Sequence, residues 1–428
     1  MTGSKPKTTL IYVGIGIAGF NPDRPPGDRE GAWISHGIAS IGASVKAAGY
    51  EVDLIDLRQL AGFDQLAEIV RDNPADVYGL SISAVDYATG LQTVLTIKQD
   101  APGCKIIVGG IQPSIFPEDY DYKVIDTVVV GEGEITFVNL LRSIEAGEQL
   151  PRVIRGEKPN LDRLPWVARE LFDYRREIEC NFAPDQQTPS ITMLAGRGCA
   201  FKCAYCQPAE NAVFGKPHRM RSAANVTGEL QQLRDKYGYK SITFWDDTFT
   251  FNRKWVMEFC DLYERTGINA SIAACSRADI ICNNEDMVER LAEVGVDWLV
   301  IGMETGSQRL LDLIQKGTTV EQNIRAGKIC RKHGIKVFGT FMYGLPTETK
   351  KESDATARLI QQISPELASP FWFIPIKGTK LYDYCVERDL ILDETKERTI
   401  ERTGRFIPTI KGVDYDHLTN LIQGCRTY

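Results

Sequence analysis

GRGCAFKCAYCQ, residues 196–207, is the stretch that decides how this chain is read. It spaces Cys199, Cys203 and Cys206 four and then three positions apart, with Tyr205 just before the last of them. Three thiolates packed this closely can ligate three irons of a cubane 4Fe–4S cluster and leave the fourth iron with an open position. Structural zinc prefers four ligands in paired short spacings, and the nearest histidine, His218, lies twelve residues beyond Cys206. Gly196 and Gly198, beside the first cysteine, let the backbone wrap closely around such a cluster. The apolar run before the loop, Ile191–Leu194, reads as a strand. The ligands therefore sit where a parallel sheet places its chemistry, beyond a strand's carboxyl end.

Outward from this loop, strands alternate with helices from Ser190 to about Pro375. The expected strands are Ile191–Leu194, Ser241–Trp245, Ala270–Ala274, Trp298–Ile301, Lys336–Met342 and Phe371–Ile374. Six such units predict a partial βα barrel over residues 190–375, followed by a small helical cap over 376–428. Toward the amino terminus, residues 1–146 alternate in the same way. Leu10–Val13, Val52–Leu57, Val77–Ile82, Ile106–Val108 and Val128–Val130 read as strands. Ile34–Ala48, Leu66–Arg71, Leu91–Gln99 and Ile135–Ala146 read as helices between and after them. That order predicts a doubly wound, Rossmann-like parallel sheet covered on both faces. Pro151, Pro159, Pro165, Pro184 and Pro189 break the pattern over 147–189, which reads as a linker. The fold class is therefore α/β throughout.

The 428 residues carry 43% hydrophobic and 25% charged side chains, the balance of a globular protein large enough for two domains. A net charge of −7 argues against a nucleic-acid-binding surface, which needs clustered Lys and Arg. The polar start from Met1 to Lys7 lacks the apolar core of a signal peptide, and no apolar run is long enough to span a membrane, so a cytoplasmic protein is expected. The eleven cysteines are scattered apart from the one tight group, which suits metal or redox chemistry rather than a disulfide framework.

The cysteine loop resembles the signature of the radical S-adenosylmethionine (SAM) superfamily. Later segments resemble that superfamily in the same order: Phe244-Trp245-Asp246-Asp247, Ser276-Arg277-Ala278-Asp279, Gly302-Met303-Glu304-Thr305-Gly306-Ser307 and Gly344-Leu345-Pro346-Thr347. The resemblance implies that SAM chelates the open iron, with Asp246, Arg277 and Glu304 among the groups around it. Carboxylates and an arginine at successive strand ends suit the ammonium, carboxylate and ribose of SAM.

In the first domain, Gly14-x-Gly16-x-x-Gly19 nominally fits a dinucleotide fingerprint. That loop must run straight into a helix, and the prolines from Pro22 to Pro26 prevent it. The domain instead resembles the cobalamin-binding domain fused to radical SAM enzymes. The resemblance runs through His36-Gly37-Ile38-Ala39, Gly79-Leu80-Ser81-Ile82-Ser83, Gly109-Gly110-Ile111-Gln112-Pro113-Ser114 and Gly131-Glu132-Gly133-Glu134. It implies that Ser81, Ser83, Gly109, Gly110, Gln112 and Glu132 line the cobalamin site. The Asp-x-His-x-x-Gly motif of proteins that ligate cobalt through histidine is absent, so no histidine is expected on the metal.

Together the resemblances imply a methyltransferase that moves a methyl group from SAM via methylcobalamin to an unactivated carbon. The acceptor would be a peptide or protein residue, such as a glutamine of methyl-coenzyme M reductase, or otherwise a small molecule or lipid. A flavodoxin or ferredoxin would be the reductant. The competing class is a cyclase or ring-rearranging enzyme that uses cobalamin without methyl transfer. A methylthiotransferase would need a second cluster, and Cys104 is the only cysteine before Cys180.

Overall fold

The computed structural model describes residues 4–15, 19–23, 33–183, 185–206, 209–215, 218–392 and 408–425. Gly16 of the fingerprint lies outside them. The chain divides into two compact units, with the main break between Cys180 and Asn181.

In the first unit six strands run parallel: β1 (Thr8–Tyr12), β2 (Val52–Asp56), β3 (Val77–Ser81), β4 (Lys105–Gly109), β5 (Thr127–Val130) and β6 (Val153–Arg155). Their spatial order is β2-β1-β3-β4-β5-β6. Ile11, Val13, Leu80, Ile82, Ile106 and Val108 fill the core with Tyr78 and Tyr120. Burying each such side chain stabilises the fold by about 1.5–3 kcal/mol. The helix His36–Ala47 starts at Ser35, whose Oγ accepts a hydrogen bond from the Ile38 amide at 3.3 Å. That contact satisfies one of the first turn's orphan donors.

The segment read as a linker begins within this unit. β6 extends the sheet beyond β5, the Ala168 amide donates to the Ala39 carbonyl at 3.0 Å, and Glu177 approaches the buried Arg58–Asp56 pair. β6 escapes sequence reading because it is short, with Val153 and Arg155 exposed and only Ile154 partly buried, so no apolar alternation marks it. The short helix Ala209–Phe214 also packs with this unit, beside Ile111–Ile115.

The second unit holds the barrel strands β7 (Ser190–Met193), β10 (Ser241–Phe244), β11 (Ser271–Ser276), β12 (Val296–Glu304), β13 (Lys336–Tyr343) and β14 (Leu367–Trp372). All are parallel, in the order β14-β13-β12-β11-β10-β7. A two-stranded antiparallel ribbon, β8 (Gly196–Arg197) with β9 (Arg219–Met220), brackets the cysteine loop. β14 starts four residues earlier than the expected Phe371, because Pro370 lies inside it, opposite Phe341. An edge strand tolerates a proline that a central strand does not. No helix among the described residues is long and apolar enough to cross a membrane.

The helix Lys350–Ile363 follows β13 and is held at its start by Glu352. One oxygen of Glu352 accepts from the Thr349 amide at 3.0 Å, and Arg309 grips both oxygens at 2.8 and 2.7 Å. The Arg309 hydrogen bonds are the main reason the carboxyl is held down at about 2. The folded value lies below the unfolded one, so this stabilisation is present above the ordinary glutamate range and is lost as pH falls toward 2. Glu352→Ala is expected to destabilise the protein by about 1–2 kcal/mol at pH 7. Urea melts of the two proteins should converge as the pH is lowered from 5 toward 2. A gap that persists at low pH would mean that packing, not charge, carries the contact.

Candidate active site

Asp246, just past the end of β10, holds the mouth of the cysteine loop. Its two carboxylate oxygens accept from the Ala195 amide at 2.9 Å and the Gly196 amide at 2.5 Å. The side chain is buried, and burial pushes its carboxyl up to about 7 against the lowering effect of the two amides. A Cβ on Gly196 would lie 2.6 Å from Met220 Sδ and 2.8 Å from the Arg219 carbonyl, so the ribbon closes only over glycine. Beyond the ribbon, Cys203 is buried, Cys199 half-buried and Cys206 exposed. No group of three or more His, Cys, Asp or Glu side chains among the described residues is gathered tightly enough for a single metal ion. A cubane spaces its thiolates more widely than one ion does, and a single loop supplies the three donors its chemistry requires.

Arg277, at the end of β11, reaches this loop from below. Its guanidinium lies 3.6 Å from the centre of the Phe201 ring, and Nη1 points at Cys203 Sγ from 3.7 Å. Nη2 donates to the Lys316 carbonyl at 2.6 Å, and Nε donates to Asp279 at 3.1 Å. A cation over an aromatic face away from water is worth about 2 kcal/mol.

Glu304 ends β12 in a left-handed conformation, φ 62°, which a residue with a side chain adopts at a cost of about 1–3 kcal/mol. Its Oε1 accepts from Tyr205 Oη at 2.9 Å and from Lys316 Nζ at 2.6 Å, and both side chains of the ion pair are buried. Of the residues expected around SAM, then, Asp246, Arg277 and Glu304 all converge on the cysteine loop, through its backbone, Phe201 and Cys203, and Tyr205 respectively.

Sequence reading missed Lys316. It lies between two helices, in a loop without any motif, and only the fold brings it to Glu304. Tyr205 was visible as the aromatic before the third cysteine, but its partner was not.

In the first unit the expected residues gather at the carboxyl ends of β3, β4 and β5. Gly110 has φ 104°, and a Cβ there would lie 2.7 Å from the Ile82 carbonyl and 2.9 Å from Ser81 Oγ. Ile82 in turn donates its amide to the Gly109 carbonyl at 2.8 Å and accepts from the Gln112 amide at 3.2 Å. Ser83 Oγ donates to Asp86 at 2.7 Å, so its proton is used within the protein and the oxygen is left to accept. Glu132 is buried in the turn after β5. Gln112 is buried too; its amide nitrogen donates to Asp119 at 3.3 Å, while its Oε1 is enclosed without a partner among the described residues. An orphaned acceptor beside a glycine cradle fits a ligand edged with amide donors, as a corrin is.

The sequence matches the B12 binding domain family over residues 27–141 and the Radical SAM superfamily over residues 193–360. It is 29% identical over 374 residues to the uncharacterized methyltransferase PH0819 of Pyrococcus horikoshii, covering 83% of this chain and 79% of that protein. It is 24% identical over 403 residues to the anaerobic magnesium-protoporphyrin IX monomethyl ester cyclase of Cereibacter sphaeroides, covering 89% of this chain and 65% of the cyclase. Among solved structures it shares the fold of OxsB, a cobalamin-dependent SAM radical enzyme with aqua-cobalamin and SAM bound. The TM-score is 0.73 at 17% identity, over 95% of this chain and 64% of OxsB. The chain thus spans just under two thirds of the cyclase and of OxsB. With a B12-binding domain ahead of a radical SAM domain on one polypeptide, the chain belongs to the cobalamin-dependent radical SAM enzymes, whose cofactors are a 4Fe–4S cluster, SAM and cobalamin.

Proposed function

We propose that the chain is a C-methyltransferase that moves a methyl group from SAM, by way of cobalamin, to an unactivated carbon. The acceptor class we favour is a peptide or protein residue, such as a glutamine of methyl-coenzyme M reductase. The observation that carries the reading is a three-cysteine cluster loop and a B12-binding domain in one chain. A relative named as a methyltransferase over most of both lengths supports it.

When bound, the reduced cluster supplies the electron that cleaves SAM, and cobalamin carries the methyl group. The chain's own residues have separate tasks. Cys199, Cys203 and Cys206 would hold the cluster, and Asp246 keeps the loop's mouth in register. Arg277 braces Phe201 and Cys203, and Glu304 would receive the SAM ammonium. In the first domain Gly109 and Gly110 would let backbone approach the corrin, and Gln112 Oε1 would accept from one of its amides. Ser81, Ser83 and Glu132 would line the strand ends beside its nucleotide tail. Electrons would come from a flavodoxin or ferredoxin.

The likeness to a cyclase supports a second reading, ring formation or rearrangement without methyl transfer. Methyl-labelled SAM separates the two. Methyl transfer should give labelled product, with S-adenosylhomocysteine and 5′-deoxyadenosine in comparable amounts. Unlabelled product accompanied by deoxyadenosine alone would favour the cyclase reading.

A further inference from the structure

Lys316 belongs to none of the segments that mark the family, yet it makes two polar contacts at the cysteine loop and the end of β12. Its ammonium lies 2.6 Å from Glu304 Oε1 and 3.1 Å from Tyr205 Oη, with its side chain only 7% exposed. Tyr205 donates to the same Oε1, so that oxygen already takes two hydrogen bonds. Oε2 takes none among the described residues, and it is not one of the fully enclosed polar atoms. The carboxylate is thus anchored through one oxygen and open at the other.

The turn that carries Lys316 also reaches the cluster loop and Arg277. The Ile314 carbonyl accepts from the Ala204 amide at 2.8 Å, and the Lys316 carbonyl accepts from Arg277 at 2.6 Å. Gln315 and Gly317 take φ values of 51° and 71°, which bend the backbone so that both the carbonyl and the side chain of Lys316 face inward. Ala204, Tyr205, Arg277 and Glu304 therefore share one clasp, residues 314–317.

We propose that Lys316, acting with Tyr205, is a positioning residue for SAM: it fixes Glu304 by Oε1 so that Oε2 is presented to the SAM ammonium. Because Tyr205 is part of the cysteine loop, Glu304 is aimed only when that loop is in place. The physical basis is preorganisation. Glu304 is oriented before SAM arrives, so binding does not bear the entropy of ordering it. Lys316 also gives the buried carboxylate a counter-charge, and a buried charge left without its partner is strongly disfavoured.

The proposal rests on Glu304 meeting SAM, and the experiment separates the two ideas. SAM affinity is measured by equilibrium binding to the full chain, reconstituted anaerobically with iron and sulfide. The proteins are the parent, Glu304→Gln, Lys316→Met, Lys316→Arg and the Glu304→Gln/Lys316→Met double variant, with iron content determined for each. Lys316→Met is expected to weaken SAM about tenfold, which corresponds to about 1.4 kcal/mol. Lys316→Arg should recover most of that loss. The double variant should bind no more weakly than Glu304→Gln, because Lys316 acts only through Glu304. Unchanged affinity in Glu304→Gln would overturn the contact itself. A normal Lys316→Met alongside a weakened Glu304→Gln, or losses that add in the double variant, would overturn the positioning role. If Lys316→Met fails to hold iron, Tyr205→Phe removes a single hydroxyl and should still weaken SAM several-fold at full iron content. Unchanged affinity there counts against the proposal in the same way.

Discussion

Alanine at Cys199, Cys203 or Cys206 is expected to abolish SAM cleavage and to lower bound iron well below the parent's cubane stoichiometry of about four per chain. Each thiolate would be the sole protein ligand of one iron, so losing one would leave the cluster prone to decay. Among the described residues, neither Cys275 nor Cys282 is poised to substitute: Cys275 lies within β11, and Cys282 is buried in the following helix with its thiol donating to the Gln322 carbonyl at 3.4 Å. Cys282→Ala serves as the control. It removes one weak hydrogen bond, should cost about 1 kcal/mol, and should leave iron content and cleavage intact. Iron analysis and 5′-deoxyadenosine release after reduction provide the readout. Full cleavage in all three loop variants would disprove the assignment.

Asp246→Ala should be nearly as damaging, for a different reason. It leaves the amides of Ala195 and Gly196 without acceptors in a closed interior, at about 1–3 kcal/mol each. A total of about 2–6 kcal/mol is a large share of the 5–15 kcal/mol that usually holds a domain together. Asp246→Asn should recover only part of it, because the amide nitrogen that replaces one oxygen would face a backbone donor. Thermal midpoint and iron loading should fall together in both variants, more in alanine than in asparagine. If Asp246→Ala kept its iron and midpoint but lost SAM affinity, the carboxylate would be a direct SAM contact, as the sequence alone suggested.

Much of the architecture could be read because both domains bury their strands on both faces. Val77–Ser81 and Thr127–Val130 are almost wholly apolar, and such runs between helical stretches have few other readings. β6 and β14 resisted because edge strands obey weaker rules: one is short and exposed, the other contains Pro370. The site divides in the same way. Donors whose chemistry is local, the three cysteines, are marked by spacing. Asp246, Arg277 and Glu304 could be noticed through resemblance, but their contacts depend on where β10, β11 and β12 end relative to the loop. Lys316 depends wholly on that arrangement, and no pattern in the chain marks it.

The backbone at Glu304 sets local strain against a buried ion pair at a single residue. A left-handed φ of 62° is comfortable for glycine and tolerable for asparagine, so either would relax the turn. Engineering guided by backbone geometry alone would be drawn to this position and would remove the carboxylate that the clasp holds. Lys316 would then be buried without its partner, at a cost of about 3–5 kcal/mol that exceeds the strain relieved. The strain at residue 304 is thus better treated as a boundary on stabilisation than as a defect to be repaired.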